Sequence, residues 1–160
     1  MAQLKFSAHK LATRLAFIIA GFGVSAWAPL VPYAKNRLGL DDSSLGLLLL
    51  CIGVGSVFAM LRVGNLCARI GCKPIIVAGA LGMILTLPLL AMITNAWMMA
   101  VALLCFGAAM GCLDVAMNVH AVDVERESGE SLMSGFHAFF SIGGFAGSAW
   151  VTFLLDREST

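Results

Sequence analysis

Five stretches of this chain are each long and apolar enough to cross a lipid bilayer, and lipid leaves such stretches one fold, the helix. A hydrocarbon core of about 30 Å takes around 20 helical residues at 1.5 Å each. Runs of that kind lie near residues 15–34, 44–61, 74–93, 97–119 and 132–155. Inside lipid every backbone N–H and C=O must find its partner within the segment. Apolar residues make up 60% of the chain and charged residues 12%, far from the soluble norm of about 45–50% and about 25%. The expected fold class is all-α: a polytopic transmembrane helical bundle of five spans, one membrane domain with residues 1–14 as a tail.

Lys and Arg accumulate in cytoplasmic loops, so their placement sets orientation. Lys5, Lys10, Arg14, Arg62, Arg69, Lys73 and Arg126 fall on one side, against Lys35, Arg37 and Arg157 on the other. The N-terminus is therefore expected in the cytoplasm. A secretory signal is the rival reading of the first run, because Val24-Ser25-Ala26 loosely imitates a cleavage site. The apolar stretch continues past it through Trp27-Ala28-Pro29-Leu30-Val31-Pro32, and four more spans follow. Pro29 and Pro32 remove backbone donors and should bend the outer end of that span, where Trp27 and Tyr33 could line a cavity or anchor at the interface.

Within the fourth run stands one carboxylate, Asp114. A carboxyl group at membrane depth costs about 2.5–3.5 kcal/mol, so it faces a bundle interior or wet cavity and marks a proton or solute path. Asn118 lies four residues on and points the same way, with Met110, Met117 and Ala121 near that face. Gly107 and Gly111 add a small-residue stripe that lets another helix approach closely. A carboxyl group placed there loses hydration, and it could load and release a proton as the cavity opens to either side. Plain pairing with a histidine is the competing role. His137, about 8 Å into the fifth span, could relay protons or simply pack.

Other residue types offer less. Cys51, Cys67, Cys72, Cys105 and Cys112 lack Cys-x-x-Cys spacing and companion histidines, so they are expected as small packing residues. Met98, Met99, Met110 and Met117 share a span with Cys112 and suggest a Cu(I) path, but no Met ladder repeats between spans, and methionine also fills apolar gaps. No metal site or cofactor is expected. The acidic group Asp123, Glu125, Glu127 and Glu130 around Arg126 is expected as a hydrated loop without chemistry. No nucleophile triad or phosphate loop points to an enzyme. A net charge of +1 gives nucleic-acid binding no support.

Two motifs carry a family resemblance. The segment Gly64-x-Leu66-x-Ala68-Arg69-x-Gly71-Cys72-Lys73 resembles the loop signature between the second and third spans of the major facilitator superfamily. Ala68 and Cys72 stand where that family usually has Asp and Arg, so its latch between the two halves is not carried over. Gly64, Arg69, Gly71 and Lys73 are the candidate residues of a conformational loop. The second motif, Asp114-Val-Ala-Met-Asn118, with Val122 to Gly129 and Leu132 to Gly144, is similar to bacterial carriers of the fucose:proton symporter type. The fifth span has no proline, unlike many drug antiporters of the superfamily.

The resemblance implies an N-terminal part of a carrier in a bacterial inner (plasma) membrane. Such a carrier would move a small polar solute with a proton, through Asp114, Asn118 and His137. The family builds each half from six spans, and Asp156 to Thr160 follow directly on the fifth. Less than half a transporter is thus expected, inactive alone, with the rest of the carrier or another copy as partner beside solute, proton and lipid. A non-transporting scaffold, or a truncated partner of a full-length carrier, is the alternative.

Overall fold

The computed structural model describes residues 2–158, with side chains described from 7 to 157. Six α-helices follow one another: α1 Ala2–Ala26, α2 Val31–Leu38, α3 Asp42–Ile70, α4 Cys72–Met92, α5 Ala96–Ser128 and α6 Met133–Glu158. A 3-10 turn at Ala28–Leu30, with Pro29 within it, separates α1 from α2. Among the described residues, five helical segments are long and apolar enough to cross a membrane: Ser7–Leu38, Asp42–Ile70, Cys72–Met92, Ala96–Ser128 and Met133–Arg157. They alternate in direction, so the starts of α1, α4 and α6 share one end of the bundle with the ends of α3 and α5. Trp27 is buried in the core, whereas Tyr33 is exposed.

The helices outrun the apolar runs. Arg62 to Ile70 was expected as a loop, but these residues form the last turns of α3, and the reversal is made at Gly71 alone (φ 83°, ψ 160°). Few side chains tolerate that φ; glycine does. Asp123 to Ser128 likewise continue α5 where a hydrated loop was expected. A charged turn outside lipid can continue a helix because propagation adds one hydrogen bond per residue.

Polar caps fix the helix ends. The Asp41 carboxylate accepts the Ser44 N–H at 2.7 Å, and the Ser44 side chain first, with this backbone bond second, holds the exposed acid below the usual carboxylate range. Asn95 accepts from the Trp97 and Met98 amides at 2.9 and 3.2 Å and opens α5. Arg37 of α2 donates to the carbonyls of Leu90, Ala91 and Ile93, at 2.7, 2.5 and 2.9 Å, and so satisfies the end of α4. At the other end Glu125 of α5 accepts the Leu132 and Met133 amides at 2.6 and 2.7 Å and caps the start of α6. Lys10 of α1 pairs with Glu130 at 2.7 Å.

Two blocks make up the bundle, α1 with α6 and α3–α4–α5. Inside each block, helices meet backbone to backbone. A Cβ at Gly107 would strike the Ile52 carbonyl of α3, and one at Gly143 the Ile18 carbonyl of α1. The Gly107 and Gly111 stripe thus faces α3, where Ser56 lies over Gly111.

Candidate functional site

Between the two blocks is a cavity of about 240 Å³ to which all five spans contribute. Its wall is built from Ala20 and Val24 of α1, Met60 of α3, Met83 of α4, four residues of α5 and Phe140 of α6. The α5 residues are Met110, Leu113, Asp114 and Met117. Their spacing of three to four residues is the inner face of one helix. Asp114 is the polar group among the described lining residues, and four thioethers surround it. Thioethers are flexible and polarisable, so this wall can reshape around different contents.

Asn118 stands one turn beyond Asp114. Its Nδ2 donates to the Asp114 carbonyl at 2.8 Å and to Asp114 Oδ1 at 3.3 Å. The amide therefore holds the carboxylate through its own helix and fixes which way the acid points. His137, from α6, lies close enough for its charge to act on the Asp114 carboxyl. Its ring stands edge-on to Phe17 at 5.5 Å, and Phe17 in turn stacks on Phe136 at 5.5 Å. The ring is exposed and hangs from a buried aromatic support. Asp114, Asn118 and His137 thus form one neighbourhood spanning both blocks. Chemically it offers a carboxyl that can hold or release a proton, an amide to orient it, and an imidazole able to carry charge in and out.

The loop residues lie apart from this centre. Gly64 and Arg69 are exposed on the last turns of α3, Gly71 is the reversal, and Lys73 is exposed in the first turn of α4. Met60 and Met83 were not foreseen at the site. They sit on neighbouring helices, and only the packing of those helices on α5 brings them to Asp114; their inward register on α3 and α4 was the available signal. Among the described residues no three His, Cys, Asp or Glu side chains gather at metal-ligating distance.

The family model for the Major Facilitator Superfamily matches residues 14–159. The chain belongs to the major facilitator superfamily. An uncharacterised MFS-type transporter of Yersinia pestis is 56% identical over 147 residues, 92% of this chain and 38% of the relative. An uncharacterised transporter of Sinorhizobium fredii is 31% identical over 83% of this chain and 35% of its own length. Membrane protein MosC of Rhizobium meliloti is 31% identical over 82% of this chain and 32% of its own length. This member of the superfamily thus spans about a third of the length of the curated relatives it matches. No solved structure matches it. Its fold is that of a partial major facilitator bundle in a multi-pass membrane protein, and the first two of these relatives are named as transporters.

Proposed function

We propose that this chain forms the N-terminal part of a proton-coupled carrier for a small polar solute, of the fucose:proton symporter type. Asp114 is the proton-loading group, Asn118 orients it or binds a solute hydroxyl, and His137 relays protons towards it. The N-terminus faces the cytoplasm of a bacterial inner membrane, as the basic residues at that end of the bundle suggest. What supports the reading is a carboxylate set in a cavity walled by all five spans, with apolar groups on its other sides. An acid in that setting is placed at membrane depth for a task and not for stability. The rest of the carrier supplies the facing wall and most polar contacts to the solute. Gly71, with Arg69 and Lys73 beside it, is the reversal about which α3 and α4 reorient during opening.

The test uses full-length carrier in vesicles with a trapped pH indicator and a panel of hexoses and polyols. Solute-driven proton uptake is expected for the native protein. Asp114→Asn should abolish it while solute exchange across the membrane persists. Proton uptake unchanged in that variant rejects Asp114 as the coupling group.

A further inference from the structure

Three thiols from three helices gather beneath the α3/α4 reversal: Cys67 of α3, Cys72 of α4 and Cys112 of α5. All are free cysteines, and they pack with Val63, Ile75 and Ala116 in an apolar cluster apart from the Asp114 cavity. Every member of that cluster comes from the α3–α4–α5 block. Cys67 and Cys72 make the tighter pair. Their thiols share a hydrogen bond, whereas Cys112 and Cys67 feel one another only through charge.

Gly71 makes this pair possible. At φ 83° it turns the chain back within one residue and sets the last turn of α3 beside the first residue of α4. Its N–H donates to the Cys67 carbonyl at 2.9 Å, which ties the reversal to the cysteine itself. Cys67 is 8% exposed and Cys72 half-buried, so a reagent meets Cys72 first. A single packed thiol is inert. Two thiols within reach of each other can instead chelate one atom.

The surroundings decide which atom. Apolar neighbours, and the Asp123 carboxylate that acts on Cys72 from α5, disfavour a product carrying negative charge. Cu(I) held by two thiolates is such an anion. Zinc takes four ligands, and among the described residues no three ligating side chains gather. A linear two-coordinate cation such as Hg(II) needs sulfurs on opposite sides of it, not side by side. Pyramidal trivalent arsenic carrying one organic group holds two sulfurs side by side and leaves no net charge. We propose that Cys67 and Cys72 form a dithiol site that captures a trivalent organoarsenical as a neutral cyclic adduct. With an arsonous acid, R–As(OH)2, two As–O bonds break and two As–S bonds form. Each thiol proton leaves with a hydroxyl, so two waters are released and arsenic stays trivalent without oxidant or reductant. The ring staples α3 to α4 across Gly71. This site is independent of the solute path proposed above.

The experiment treats reduced full-length protein with phenylarsine oxide, which hydrates to the arsonous acid, then washes it with a monothiol and reads mass spectra of the protein and its peptides. Arsenic is expected to stay on the native protein, with Cys67 and Cys72 shielded from maleimide, until dimercaptopropanol removes it. Cys67→Ser and Cys72→Ser should each lower retention at this site about a hundredfold, because the second sulfur no longer acts at high effective concentration. Cys112→Ser should retain arsenic at the native level. Cys72→Ala, at a half-buried helix start, carries the same test should the buried Cys67→Ser fail to fold. Shielding of Cys67 that persists in Cys72→Ser or Cys72→Ala overturns the proposal. So does loss of arsenic in Cys112→Ser, which marks a three-thiol site, and so does a native protein whose Cys67 and Cys72 stay open to maleimide after arsenical treatment.

Discussion

Along the α3–α5 crossing two backbones touch, whereas between α5 and α1 methionine side chains hold the helices apart and enclose a cavity. Gly55 lies against the Leu104 carbonyl and Gly107 against the Ile52 carbonyl, so neither helix can slide without a collision. Met83 reaches instead from α4 to lie over Gly23 of α1, and a thioether can re-pack where a carbonyl cannot. The blocks are therefore stiff inside and adaptable between. Polar ties close both ends of the adaptable seam: Arg37 joins α2 to α4, while Glu125 and the Lys10–Glu130 pair join the second block to α6 and α1. Asp114 stands on the adaptable seam.

The sharpest way to break this contrast is to place a side chain in the stiff contact. Gly107→Val should lower unfolding free energy by about 3 kcal/mol, because overpacking against backbone has no flexible atom to yield. Gly53→Ala is its matched control. Nothing lies within 4 Å of a Cβ there, so detergent-solubilised thermal unfolding should be unchanged or raised by up to about 1 kcal/mol from helix propensity. Equal losses in both variants would mean that the glycines act through backbone freedom and not through close approach.

Next in size is Arg37→Gln, expected to cost about 2 kcal/mol by leaving the last carbonyls of α4 without donors. Hydrogen exchange should rise in α4 near Leu90 and leave α3 alone. Glu125→Ala follows, at about 1 kcal/mol for a lost helix cap, with faster exchange at the Leu132 and Met133 amides. Met83→Leu completes the order at about 0.5 kcal/mol, since volume-conserving swaps in an adaptable wall are tolerated. A larger loss for Met83→Leu than for Arg37→Gln would reverse the picture, and the seam would then be the rigid part.

Much of this architecture is legible in the residues, for a physical reason. Twenty apolar residues in a row leave one solution in lipid, and the five spans follow from that. Asp114 and Asn118 are legible for a similar reason: a helix places residues four apart on one face, and a carboxylate in an apolar run attracts notice at once. What escapes is whatever depends on geometry between helices. Arg37 looks like an ordinary interfacial cation until α2 sets it beside the end of α4. Glu125 looks like one hydrated acid among four until α6 begins beneath it. Met60 and Met83 are unremarkable in their own runs and become part of the cavity only when both helices pack on α5. The charged ends of α3 and α5 read as loops because hydropathy reports solvent and not backbone conformation.

The length of α5 has a mechanical consequence. At 33 residues it is about 50 Å long, some 20 Å more than the hydrocarbon core. One unbroken rod clamped at mid-length, where Gly107 and Gly111 rest on the α3 backbone, transmits a push on its Glu125 end to the whole stiff block. Asp114, less than one turn past Gly111, then shifts together with Met60 and Met83 against Ala20 and Val24 of α1 and Phe140 of α6.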